Sequence, residues 1–200
     1  MPQIDLVSPL PPVRSGIADY AADLLPHLAE RCDLRVVHLP GQPVDPEIAR
    51  RYPSIPLAEA GAGGRLPLYQ MGNNPWHFDI WQRALVLPGV LTLHDLVLHH
   101  FLIERTVKHH DFAGYREALA ADHGWIGEAA GKPIRWPGGS GRSSQFSLPA
   151  HRSLLSRQIG VLTHSSWASE ILAEEIPGLR VRSLPMGVRR SIRRCPIPPS

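Results

Sequence analysis

Short apolar runs alternate along this chain with stretches whose apolar residues recur at helical spacing. Residues 4–7, 34–39, 66–70, 90–93, 160–163 and 179–184 read as strands, most of them too uniformly apolar to have a face in water. Between the first two strands, Ile17, Ala21, Leu24 and Leu28 are spaced by four, three and four residues and predict a helix. Ser15 is its expected N-cap, with Gly16 in the first turn. The same logic predicts helices over 77–86, in two or three pieces over 96–130, over 149–158, and from Ser165 or Ser166 to about residue 175. Residues 42–64 hold four prolines and read as loop with at most one short helix. Residues 131–149 read as a glycine-rich loop around Trp136.

Strand and helix alternating at this pitch predict right-handed crossovers and a mostly parallel sheet, an α/β fold with a single Rossmann-like domain over residues 1–188. Residues 189–200 carry arginines and prolines without an apolar period and read as a tail or linker. The chain has 21 prolines and 17 glycines in 200 residues, which favours many turns and argues against a helical bundle.

A formal charge of +3 gives no continuous basic face for nucleic acid, since the arginines at 180, 182, 189, 190, 193 and 194 cluster at the end. No basic region precedes a long apolar stretch at the amino terminus, and the two cysteines, Cys32 and Cys195, form no metal-spaced pair. A cytoplasmic, reducing setting follows from these features, with Cys32 buried and inert.

Three loops that follow strands carry the candidate chemistry. In the first, Ser8 to Gly16, a helix N-terminus offers unpaired N–H groups to an anionic or hydroxyl-rich ligand, and Gly16 allows close approach. It is neither a dinucleotide fingerprint nor a P-loop. In the second, Met71-Gly72-Asn73-Asn74-Pro75-Trp76-His77, two amides beside an aromatic ring suit a polyhydroxyl ligand, while a turn in which the asparagines cap local backbone is the competing reading. The third, Leu91-Thr92-Leu93-His94-Asp95, puts an imidazole and a carboxylate at the carboxyl end of a buried strand, where open α/β sheets bind ligands. Asp95 is alternatively the cap of the following helix.

His99, His100, His109, His110 and His123 lack the spacing of a zinc site and read as surface or rim residues. A metal-dependent hydrolase or epimerase built on them therefore has little footing. Trp81 and Trp167 are expected to pack within helices, whereas Trp136 is placed to close over a ligand or touch a membrane surface.

Taken in order, these segments resemble a known family. Pro11-Pro12-Val13-Arg14-Ser15-Gly16-Ile17-Ala18-Asp19-Tyr20, Gly72-Asn73-Asn74-Pro75-Trp76-His77, Pro88-Gly89-Val90-Leu91-Thr92-Leu93-His94-Asp95, Leu98-His99-His100 and Leu162-Thr163-His164-Ser165-Ser166 are similar to the amino-terminal domain of group-1 (family 4) glycosyltransferases of the GT-B architecture. The resemblance implies transfer of a sugar, with retention, from a nucleotide-activated donor to a saccharide or lipid-linked acceptor such as a polysaccharide precursor, without a bound metal or other cofactor. It implies catalytic roles for His94 and Asp95. By the resemblance Ser15 and Gly16 would lie near donor phosphates or acceptor, and Asn73, Asn74 and Asp95 would shape the acceptor side, while His77 and Trp136 are further candidate substrate contacts from the loops that hold them. The family's donor site lies largely in a second Rossmann-like domain. Leu184-Pro185-Met186-Gly187-Val188 resembles the link to it, and the twelve residues that follow match no opening strand. The expectation is thus a half-enzyme that is inactive alone, with a non-catalytic carbohydrate- or nucleotide-sugar-binding module as the alternative.

Overall fold

β1 (Gln3–Val7) is the first strand of the chain and one of the most enclosed, its last three residues all buried. It pairs in parallel with β2 (Asp33–His38) on one side and with β4 (Leu66–Met71) on the other. β3 (Ser54–Pro56) lies outside β2, while β5 (Val90–Leu93), β6 (Gly160–Thr163) and β7 (Val181–Ser183) extend the sheet beyond β4. The computed structural model describes residues 1–131 and 142–187, and within them the seven strands form one all-parallel sheet in the order β3-β2-β1-β4-β5-β6-β7. Strand order therefore reverses between β1 and β4, the arrangement of a doubly wound, Rossmann-like α/β fold.

Alternation along the strands divides the core between the two faces. Leu6, Val36 and Leu68 point to one side, where α1 (Gly16–Ala29) contributes Ala21 and Leu25 and α2 (Pro46–Arg51) adds Ile48. Val7, Val37 and Tyr69 point to the other. That side is covered by α3 (Phe78–Val86), α4 (His99–Arg105), α7 (Arg152–Leu155) and α8 (Ser166–Glu175) through Ile80, Ala84, Phe101, Leu154, Leu155 and Leu172. α5 (Phe112–Ala130) and α6 (Arg142–Ser147) build a smaller cluster outside α4 from Leu102, Leu119 and Leu148.

Some expectations need correction. Residues 42–64 contain the short helix α2 but also the edge strand β3, which has a proline at its end. Helix α6 falls inside the stretch read as loop, and the helix expected over 149–158 shrinks to α7. Residues 96–130 do form two helices, α4 and α5, and α5 is bent at Gly124, whose φ of 60° is not helical. Trp81 packs against the core as expected, but Trp167 is 62% exposed. His99 is a core residue, 1% exposed, its Nδ1 donating to the Leu148 carbonyl and its Nε2 accepting from the Tyr115 hydroxyl. Cys32 is buried, and its thiol donates to the Leu28 carbonyl. Trp136, Cys195 and the tail from residue 189 lie outside the described residues.

At the amino-terminal ends of the strands, the carboxylate of Asp5 is fully buried and receives Arg35 Nε at 2.8 Å, Arg65 Nε at 2.9 Å and the Gly61 amide at 2.8 Å. Arg65 also reaches Asp33, at 2.7 Å. This ionic cluster ties β1, β2 and β4 together at the end of the sheet opposite the candidate loops.

A row of imidazoles at the carboxyl ends of the strands

Parallel register carries the candidate loops to one edge. Met71 pairs with Leu93, and Leu93 with Thr163, so Gly72, His94 and His164 follow three adjacent strands at equivalent positions. The His94 amide donates to the Met71 carbonyl at 2.9 Å. α1 lies against this row from the β1 side. A Cβ added to Gly72 would overlap Ile17 Cδ1 and come within 3.0 Å of His77 Cε1 and 3.3 Å of Asp95 Oδ2. A side chain at 72 would have to push back the end of Ile17 and crowd His77 and Asp95. At Gly16, by contrast, an added Cβ would meet no protein atom within 4 Å, so packing does not require glycine there.

His94 is the centre of an aromatic cluster. Its ring centroid is 5.2 Å from Tyr20 of α1 and 5.0 Å from His164, and Tyr20 is 5.3 Å from His164. The fully buried Gln70 fixes the His94 tautomer. The Gln70 amide nitrogen donates to Thr92 Oγ1 at 3.2 Å, which leaves its oxygen to accept from His94 Nε2–H at 2.9 Å. Nδ1 of His94 consequently carries the lone pair. Burial, reinforced by the neighbouring His164 and His77, lowers the His94 pKa to about 4, so the ring is neutral at pH 7.

The two neighbouring imidazoles repeat this arrangement. Nδ1 of His164 donates to the Leu184 carbonyl at 2.9 Å, and its Nε2 is shielded from solvent with no hydrogen-bond partner among the described residues. His77 is fully buried and donates from Nδ1 to Asn74 Oδ1 at 3.0 Å, and its Nε2 is likewise without a partner there. Burial lowers the His77 pKa to about 4 as well, despite the Asn74 carbonyl acting in the other direction. Each of the three rings thus spends one nitrogen on the protein. Burial also raises the Tyr20 pKa, which keeps the phenol protonated and able to donate.

Asn73, Asn74 and Asp95 act mainly as braces. The Asp95 carboxylate accepts from the Asn73 amide at 2.8 Å, and Asn73 Oδ1 accepts from the Phe101 amide at 2.7 Å, in the first turn of α4. Asp95 is therefore not the cap of α4, whose N-cap position is Leu98. Asn74 caps the turn of 3₁₀ helix at 75–77 by accepting from the Trp76 amide at 3.1 Å. Ser15 is the N-cap of α1, its Oγ accepting from the Ile17 amide at 3.3 Å. All these residues lie in loops that follow the carboxyl ends of strands except Trp136, which falls outside the described residues.

A concavity of about 460 Å³ lies elsewhere, beside Trp81, Phe101 and Arg105 on the α3–α5 side. Among the described residues no three His, Cys, Asp or Glu side chains converge to hold a metal ion, and no helix is long and apolar enough to cross a membrane. No family model matches the chain, and no curated protein matches it. Sequence reasoning singled out His94 but not Tyr20 or His164 as its neighbours. The available signal was positional, because His164 stands one residue past β6 as His94 stands one residue past β5.

Proposed function

We propose that this domain is the acceptor-side half of a retaining glycosyltransferase of GT-B type. It would act in the cytoplasm on a nucleotide-activated sugar donor and a saccharide or lipid-linked acceptor. The observation that carries this reading is the row of imidazoles at the switch-point edge, in which His94 and His77 are neutral and the shielded Nε2 of His77 and of His164 has no hydrogen-bond partner among the described residues. A buried acceptor without a partner is costly, and hydroxyl groups are the neutral donors that satisfy it. The aromatic faces of Tyr20 and His94 suit the C–H faces of a sugar ring. The N-terminus of α1, beside the reversal of strand order, suits the donor's phosphates.

In such a transfer the bond from the anomeric carbon to the donor phosphate breaks. The acceptor oxygen bonds to that carbon on the same face, and the acceptor's proton passes to the departing phosphate. Neutral His94 would accept a hydrogen bond from a hydroxyl of the transferred sugar and hold the ring for this step. Asp95 and Asn73 would keep the loops after β4 and β5 in register. On this reading the opposite wall of the site belongs to a donor-binding domain, without which the leaving group lacks electrostatic support.

Calorimetric titration with nucleotide sugars and oligosaccharides, followed by transfer assays with a donor-binding domain supplied, tests the reading. Saturable binding is expected, and His94→Ala should lower transfer by about 100-fold or more. Saturable binding with no turnover would instead support a binding module. Absence of any binding, or transfer unaffected by His94→Ala, would overturn the assignment.

A further inference from the structure

Behind the imidazole row lies a pair of buried polar side chains, Gln70 of β4 and Thr92 of β5, 0% and 3% exposed. The parallel register places them opposite each other, and His94 follows two residues after Thr92 on the same side of the sheet. That side is the one α1 covers, which is why Tyr20 reaches the same ring. Gln70 therefore touches both neighbours at once. Its amide nitrogen donates to Thr92 Oγ1 at 3.2 Å, and its oxygen accepts from His94 Nε2–H at 2.9 Å.

A carboxamide has a donor end and an acceptor end, so fixing one end fixes what the other can pair with. Thr92 takes the donor end, and the acceptor end meets the imidazole. Turning the amide round would set its N–H groups against the ring and demand the opposite tautomer. Gln70 is fully buried, so a mismatch would leave a donor or acceptor without the water that repairs it at a surface. The other titratable groups facing the ring are Tyr20 from α1, His164 after β6 and His77 after β4. None of these is an anion at neutral pH, and the Asp95 carboxylate is turned to the Asn73 amide. The choice of which nitrogen holds the proton thus falls to Gln70.

We propose that Gln70, held by Thr92, is a positioning residue that sets the polarity of the His94 subsite. The partly exposed ring offers a ligand the Nδ1 lone pair, so the group seated there must bring its own proton, as a hydroxyl does. Ether and carbonyl oxygens, which only accept, gain no hydrogen bond from this ring. The proposal deepens the sugar-transfer reading and rests on it for the nature of the ligand, whereas the tautomer is a property of the free protein.

The test is nitrogen-15 NMR of histidine-labelled protein, comparing wild type with Thr92→Val and Gln70→Glu, the His94 signal being assigned by its loss in His94→Asn. At neutral pH wild-type His94 should show a protonated Nε2 and an unprotonated Nδ1. Thr92→Val frees the amide to turn and should move the tautomer ratio toward Nδ1–H by about tenfold. Gln70→Glu sets a carboxylate against Nε2–H and should raise the His94 titration midpoint from about 4 by about one unit or more. With a donor-binding domain supplied, the acid limb of the kcat profile should rise by the same amount, which a merely structural defect would not produce. Circular dichroism checks folding, and Thr92→Val decides the matter should Gln70→Glu not fold. A wild-type ring protonated at Nδ1, a ratio unmoved by Thr92→Val, or a midpoint unmoved in folded Gln70→Glu would each overturn the proposal. The expected tautomer shifts without binding of any nucleotide sugar or oligosaccharide would support the role of Gln70 and overturn the sugar-transfer reading instead.

Discussion

His94 and His77 are held neutral by their burial, and this couples the candidate site to acid stability. Both have pKa values near 4 in the folded protein, against an ordinary 6.5. Well above pH 6.5 the rings are neutral whether the chain is folded or not, and their contribution is constant. As the pH falls from 6.5 toward about 4, the unfolded chain takes up protons that the native rings refuse, so stability declines across that window. Urea unfolding midpoints measured through this range should fall with pH, and His94→Asn should flatten the slope. An unchanged slope would mean that the ring is not desolvated as the geometry requires. His94 itself was legible in the sequence because an imidazole directly after a buried strand has few places to go. Tyr20 was not, because the contact depends on how α1 crosses the sheet edge, which no local pattern encodes.

At the scale of elements, the loop after β4 and the start of α4 are held together by side-chain oxygens rather than by strand pairing. Asn73 Oδ1 serves an α4 amide, and Asp95 serves the Asn73 amide. Asn73→Ala removes the first of these and should cost about 0.5–2 kcal/mol, the range for loss of a helix cap. Chemical denaturation measures the loss, and hydrogen exchange should show faster exchange at the Phe101 amide. The two asparagines read from sequence as sugar ligands or local caps, and the structure adds a third role, a brace between loops far apart in sequence. The strands with continuous apolar runs were all visible in the sequence, as was α1 from its spacing and Ser15 cap. β3 was not, since three residues with serine and proline at their ends carry no periodicity and gain their conformation from β2. α6 and α7 are too short for helical spacing to repeat, which is why α6 was read as loop and α7 as a longer helix.

Across the whole molecule, the two ends of the sheet do different work. At the amino-terminal end, burial pushes the Asp5 carboxyl pKa up, but hydrogen bonds from Arg35, the Gly61 amide and Arg65 outweigh that and hold it below its ordinary value of 3.8. Its contribution is present at neutral pH and is lost as the pH drops through that lowered value. Asp5→Ala leaves Arg65, only 8% exposed, without its buried partner and should destabilise the fold by about 3–5 kcal/mol. Thermal or urea unfolding checks this, and a loss well below 1 kcal/mol would show that Arg65 is adequately paired by Asp33 alone. The carboxyl end, by contrast, keeps acceptor atoms that packing does not use, and it is there that substitutions should alter binding more than stability.

The reversal of strand order between β1 and β4 also sets a timetable for synthesis on the ribosome. β1 is made before both of its neighbours, β2 and β4, so it emerges with both hydrogen-bonding edges bare. β2 can shield one edge once residue 38 has left the exit tunnel, but the other stays open until β4 is complete at residue 71. During that interval the nascent chain presents a ready template for a neighbouring chain, a hazard that a slower ribosome would prolong.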